Sequence, residues 1–440
     1  MPFDDPAPHP PAVDARAMEI AKPRPKRSLP IAPLAKPGAR NLPLASEARD
    51  VDRKHRPIYA VWEITLACDL ACRHCGSRAG RDRPDELTTA EALDLVDQMA
   101  DLGVKEVTLI GGEAYLRDDW LEIVRRIRQR GMLVSTTSGG RGLTAERVAA
   151  AAAAGLMGAS ISLDGDQAVH DRLRGVAGSY TSALAAMRAV RERGLKVSAN
   201  TQINRLSMPV LGHVLETIAA AGVRDWQIQL TVPMGRAADE PDVLLQPYEL
   251  LELFPLLAEL KKRADELRVR IWPGNNIGYF GPYETLLRGY HFAGHGGSCG
   301  AGRATMGIEA NGAIKGCPSL PSEAWTGGNI RDAKLKDIWE KSEALRYTRD
   351  RTTRDLWGFC ASCYYAPECM SGCTWTSFVT LGKAGNNPYC HHRALEMSRT
   401  GKRERIVPVS AAPGEPFDNG IFAIVIEDTS ELPSTRISRE

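Results

Sequence analysis

The 440-residue sequence has no apolar run long enough to span a bilayer, so it offers no candidate transmembrane helix. Its first thirty residues, rich in Pro, Lys and Arg, lack the apolar segment of a secretory signal. Net charge is nearly absent, at +2, so the molecule as a whole has no field that would draw it to nucleic acid or to an anionic membrane. Cysteine is missing from 76 to 298. These absences lead to the expectation of a cytoplasmic chain with no nucleic-acid or membrane partner. In a reducing compartment, closely spaced cysteines signal metal or redox work rather than disulfides.

The ten cysteines fall into two groups. Three lie in "CDLACRHC" as Cys68, Cys72 and Cys75, and seven follow position 298: Cys299, Cys317, Cys360, Cys363, Cys369, Cys373 and Cys390. Three thiols are one short of a structural zinc site, and His74 within the same loop is too tightly spaced for a zinc finger. A four-iron cluster held at three corners keeps one iron for another ligand.

Residues 1–57 read as an extension with too little apolar surface to form a core. From 58 the pattern alternates. Candidate strands are 58–65, 106–112, 132–140, 158–165, 196–204 and 226–233, and five helical stretches between them each end at glycine. Thr88 and Thr144 are candidate N-caps, and Thr88 with Glu91 forms a capping-box pattern. Such alternation implies a parallel sheet with right-handed crossovers, whose ligands lie at the C-terminal strand ends. The cysteine loop, "GGE" (111–113), "TSGG" (137–140) and "SLDG" (162–165) all fall at such ends. A helical bridge is expected over 241–298, a metal-organised domain over 299–395 and an extension over 396–440.

Cys-x3-Cys-x2-Cys after a first strand, followed in order by "GGE" and "SLDG", resembles the radical S-adenosylmethionine (SAM) superfamily. The resemblance implies an α/β partial (β/α)6 TIM-like barrel over 58–240. It also implies that Cys68, Cys72 and Cys75 hold a [4Fe-4S] cluster whose free iron binds SAM, the source of a 5′-deoxyadenosyl radical. SAM contacts are implied at His74, Gly111, Gly112, Glu113, Ser138, Ser162, Asn200 and Leu230. Glycine at 111 and 112 is expected to let the ligand approach the strand end closely. "HDRLRG" (170–175) is expected as a loop near the substrate.

The spacing Cys299-x12-Gly312-x4-Cys317 … Cys360-x2-Cys363-x5-Cys369-x3-Cys373 … Cys390 resembles the SPASM domain, a small cysteine-rich α+β unit. Its pattern assigns Cys299, Cys317 and Cys373 to one auxiliary [4Fe-4S] cluster and Cys360, Cys363, Cys369 and Cys390 to another, for three clusters in all. The fourth corner of the three-thiol cluster is open, bound by substrate, or closed by His291 or His295. Auxiliary clusters suit a net oxidation. The resemblance therefore implies an oxidoreductase that matures a ribosomally made precursor peptide by a two-electron oxidation; a radical enzyme acting on a small molecule such as a haem precursor is the alternative. A flavodoxin- or ferredoxin-type electron donor and a separate leader-binding protein are expected partners. Pro318 stands where sulfatase maturases carry an Asp, which argues against formylglycine formation. The catalytic acid or base is not identified.

Overall fold

The computed structural model describes residues 44–278, 280–289 and 299–431. All six expected strands form: β1 (Tyr59–Glu63), β2 (Glu106–Ile110), β3 (Leu133–Ser138), β4 (Gly158–Ser162), β5 (Lys196–Ile203) and β6 (Asp225–Leu230). They pair in parallel in sequence order. The five expected helices run over Thr89–Leu102, Trp120–Gln129, Ala145–Ala154, Ser179–Glu192 and Leu211–Ala220. Each ends one or two residues before a glycine in the left-handed region: Gly103, Gly131, Gly155, Gly194 and Gly222. The Thr88 side chain caps the first helix, with Glu91 returning the bond as a capping box, and Thr144 caps the third.

On β1 the alternation of a strand sorts its residues. Tyr59, Val61 and Glu63 face the lumen, while Ala60 and Trp62 are buried in the apolar core. Trp226 and the helix residues Leu95, Met99, Ile123 and Ile127 lie in that same core.

The sheet runs past the six-strand barrel on both sides. β7 (Arg270–Pro273) adds parallel to β6, within the stretch expected to be only helical. On the other side, β8 (Thr305–Ile308) pairs parallel with β1, with β9 (Ala313–Lys315) and β10 (Thr326–Asn329) antiparallel beyond it. Three strands of the cysteine-rich region thus continue the barrel sheet, giving the order β10-β9-β8-β1-β2-β3-β4-β5-β6-β7. The expectation that metal alone organises this region is corrected: Met306, Ile308, Ile314, Ile338 and Trp339 share the main apolar core. A separate hairpin, β11 (Lys402–Ser410) with β12 (Ile421–Asp428), occupies most of the expected C-terminal extension. No helix among the described residues is long and apolar enough to cross a membrane.

Candidate functional site

The cysteine loop leaves β1 and is held from several sides by backbone contacts. Gly80 N–H donates to Leu66 O (2.9 Å), and Ala71 N–H donates to Arg174 O (3.1 Å). The "MGRA" segment after β6 closes the remaining side. Arg236 donates from its backbone to Cys75 O (3.0 Å), from Nε to Cys72 O (2.7 Å) and from Nη2 to Ala79 O (2.9 Å). Gly235, at φ +56°, lets the segment come this close, since a Cβ there would sit 2.3 Å from Cys75 O.

Gly111 and Gly112 line the cavity beside this loop, and the packing gives their glycine identity a further reason. A Cβ at Gly111 would lie 2.2 Å from Thr65 O, and one at Gly112 2.1 Å from Ala67 O. Missing side chains therefore let the end of β2 pack onto the cysteine loop itself, a role the sequence had assigned to ligand approach.

A cavity of about 510 Å³ opens at the C-terminal strand ends. Cys68, Cys72, Cys75, His74, Gly111, Gly112, Glu113, Ser138, Ser162 and Asn200 all line it. Leu230 does not. It is fully buried, and Asn276 occupies both its backbone groups: Leu230 N–H donates to Asn276 Oδ1 (3.1 Å), and Asn276 Nδ2 donates to Leu230 O (2.8 Å). Buried Glu113 ties two strand ends together, accepting from Ser138 Oγ (2.6 Å) and Gly139 N–H (2.7 Å). Burial pushes its carboxyl up to about 7 in spite of these bonds. Asn200 Oδ1 is buried without a partner among the described residues, an acceptor suited to a ligand hydroxyl.

Sequence reasoning missed a buried charge cluster under the loop. "HDRLRG" is not a loop: Asp166 caps a helix, Gln167–Arg174, that turns His170 and Arg174 inward. Arg174 Nη2 lies 2.7 Å from Asp164 Oδ2, and its Nη1 donates to Cys72 Sγ at 3.7 Å. His74 Nε2 stands 3.4 Å from the same Asp164 oxygen, so His74 is engaged by the protein while it lines the cavity. Asp164 Oδ1 accepts from Gln202 N–H (2.9 Å), and Asp164 N–H donates to His170 Nδ1 (3.1 Å). Burial would raise the Asp164 pKa, but Arg174 and His74 outweigh it and hold the carboxyl far below the usual range. Only the "SLDG" and "HDRLRG" strings hinted at this pairing.

The same cavity is also lined by Cys299, Cys317 and Cys373. Burial pushes Cys68 and Cys317 up to about 12 and Cys72 and Cys373 up to about 11, with neighbouring thiols adding to the effect. Those neighbours define the sets. Cys72 and Cys75 act on Cys68, Cys299 and Cys373 act on Cys317, and Cys390, Cys360 and Cys363 act on Cys369. Cys373 thus sides with Cys299 and Cys317 rather than with its sequence neighbours. His291 and His295 lie outside the described residues.

Buried thiols so reluctant to ionise need a cationic partner to become ligands, and their spacing bears on which one. Among the described residues the group of three donor atoms mutually within 4.8 Å is Cys68, Asp69 and Glu113; no three thiols come that close. A tetrahedral zinc–thiolate site, with bonds near 2.3 Å, sets its sulfurs roughly 3.8 Å apart. Thiol sets of three, three and four suit iron–sulfur clusters, which take thiolate ligands.

Comparison with known proteins agrees. Residues 62–218 match the radical SAM superfamily, and residues 299–364 match an iron–sulfur cluster-binding domain named SPASM. The chain is 30% identical to the mycofactocin maturase of Mycolicibacterium smegmatis, over 76% of this chain and 82% of that one. It is 28% identical to the AdoMet-dependent heme synthase of Nitratidesulfovibrio vulgaris, over 77% and 93%. In fold it resembles Streptococcus suis SuiB bound to its precursor peptide SuiA (TM-score 0.57, 18% identity, 76% and 75% covered). It also resembles anSMEcpe with bound AdoMet (TM-score 0.61, 15% identity, 77% and 95% covered).

Proposed function

The chain belongs to the radical SAM superfamily, with a SPASM iron–sulfur region, and on that premise we propose that it oxidises a ribosomally made precursor peptide by two electrons. The observation that carries this reading is the shared cavity, which is lined both by Cys68, Cys72 and Cys75 and by Cys299, Cys317 and Cys373. A substrate between them has a hydrogen-abstracting centre on one side and an electron acceptor on the other, which is what a net oxidation needs. Cys360, Cys363, Cys369 and Cys390 would hold a third cluster outside the cavity. When bound, the first cluster and SAM supply the radical that removes a substrate hydrogen.

The chain's own residues bind and orient. Arg174 keeps positive charge beside Cys72 and favours its thiolate. Glycines 111 and 112 fix the strand end against the cysteine loop. Ser162 presents a hydroxyl for the SAM carboxylate or ribose, and Asn200 Oδ1 an acceptor for a ribose hydroxyl. Glu113, held by Ser138 and Gly139, would meet the SAM amino group. Leu230 is not assigned a contact.

The mycofactocin maturase likeness supports the peptide reading, and the heme synthase likeness supports a small-molecule substrate instead. A flavodoxin- or ferredoxin-type donor would feed the first electron, and a separate small protein would bind the peptide leader.

The test is anaerobic incubation of the reconstituted chain with SAM and reductant, adding either a short precursor peptide, taken from any small open reading frame that adjoins its gene, or an iron porphyrin precursor. Peptide-dependent 5′-deoxyadenosine and loss of two hydrogens from the peptide are expected. Turnover of the porphyrin alone would establish the other reading.

A further inference from the structure

Three thiols face the cavity from the C-terminal region, and the segment Tyr347–Arg351 packs directly behind them. The Tyr347 ring lies against two glycines that flank this thiol set in sequence. A Cβ at Gly316, next to Cys317, would sit 2.8 Å from the ring's Cε1 and 3.2 Å from its hydroxyl, and one at Gly302, three residues after Cys299, would sit 3.7 Å from Cε1. Gly302 N–H donates to Gly316 O (2.9 Å), so the two segments form one wall against which the phenol rests. Trp325 packs edge-on against the ring (4.8 Å between centroids) and fixes it from another side.

With its ring so placed, the Tyr347 hydroxyl is buried and has no partner among the described residues. Four residues on, Arg351 repeats the situation. Its Nη1 donates to Thr374 Oγ1 (2.9 Å), beside Cys373, while its Nε is buried and unpartnered among the described residues. The charges of Cys317, Cys299 and Cys373 all bear on Tyr347, and those of Cys299 and Cys369 on Arg351. A buried donor left unpaired is costly to the fold. Two such donors in one short segment, both beside Cys299, point to a shared acceptor at that thiol set.

We propose that Tyr347 Oη and Arg351 Nε donate hydrogen bonds to the sulfur of a cluster held by Cys299, Cys317 and Cys373, and that these bonds raise its reduction potential. This rests on the reading that the three thiols hold a cluster. A donor to sulfur, and more so a fixed cation, stabilises the reduced form, which carries the extra negative charge. The segment thereby makes the cavity-facing cluster the better electron acceptor. Tyr347 acts as a neutral phenol donor and leaves the fourth iron corner to another ligand.

The experiment uses the full-length, anaerobically reconstituted chain, with SAM added to separate the signal of the SAM-binding cluster from the others. Pulsed electron paramagnetic resonance of the reduced wild type in H₂O and D₂O should show an exchangeable proton coupled to one auxiliary cluster. Tyr347→Phe should keep its full iron content, lose that coupling and lower the potential of that cluster alone. Arg351→Gln should lower the same potential further. Unchanged coupling and potential in Tyr347→Phe would overturn the proposal. Loss of iron on that substitution would overturn the donor role in favour of ligation. A wild type with no auxiliary-cluster signal would overturn both this inference and the reading beneath it, whereas normal auxiliary signals indifferent to both substitutions would overturn this inference alone.

Discussion

Replacing Arg174 with Met tests the buried charge cluster beneath the cysteine loop. Its guanidinium stands 2.7 Å from Asp164, and both side chains are shielded from water, at 10% and 0% exposure. At an effective dielectric of about 20, charges about 4 Å apart attract by roughly 4 kcal/mol. Removing one partner of such a pair typically costs about 3–5 kcal/mol, because the other charge stays buried. Gln202 N–H and His74 still serve Asp164, so a loss of about 3 kcal/mol in unfolding free energy is expected. Urea denaturation of the iron-free, reduced chain would measure it. Adding Asp164→Asn removes the stranded charge, and the double variant should recover more than half of the loss. The pH dependence has a definite sign. Because the folded Asp164 pKa lies below the ordinary carboxylate value near 3.9, its contribution is present above about pH 4 and fades as pH falls. Arg174→Met should remove that fading. A single variant within about 1 kcal/mol of wild type, or a double variant no better than the single, would refute the reasoning.

Three further outcomes are expected. With three four-iron clusters, the reconstituted chain should hold about twelve irons, and changing Cys68, Cys72 and Cys75 together to Ala should remove about a third of them with all SAM cleavage; iron analysis and chromatography of 5′-deoxyadenosine check this. Ser162→Ala should weaken SAM binding by about 1 kcal/mol, near fivefold by calorimetry, with iron content unchanged. Burial pushes the Glu63 carboxyl well above its ordinary value, against the pull of Arg83 and Lys315, so the folded chain holds a proton there that the unfolded chain releases. Stability should then fall as pH rises above the ordinary Glu value, and Glu63→Gln should flatten that slope in thermal melts taken from pH 5 to 8.

Much of the barrel could be read directly because its signals are local. Five helices between Thr89 and Ala220 declare themselves by apolar spacing and a terminal glycine, and six strands by β-branched runs. The strands β7 to β10 are three or four residues long and include "TGGN", which has no strand preference; pairing with β6 and β1 creates β7 and β8, and β9 and β10 then add in turn to the edge that β8 provides. "KRERIVPVS" and "IFAIVIED" carried a strand pattern that the sequence reading passed over in favour of a tail. At the site, the cavity-lining residues followed from motif order. The link from Asp164 to Arg174 and Cys72 joins three segments that only the fold brings together. Along β6 the cavity is lined by Gln227 and Gln229, so alternation itself places Leu230 on the core face with Trp226 and Ile228, and its backbone groups go to Asn276.

The pairing of β8 with β1 joins residues about 250 positions apart, which at roughly 5–20 residues per second separates their synthesis by about 12–50 seconds. Through that interval the nascent chain carries β1 with one flank unpaired, while β2 and its neighbours can already assemble on the other. An unpaired parallel edge invites association with other chains. Translation speed and chaperone supply during those seconds should therefore govern the yield of recombinant protein more strongly than the stability of the finished sheet, and a second, temporary partner for that edge would raise it.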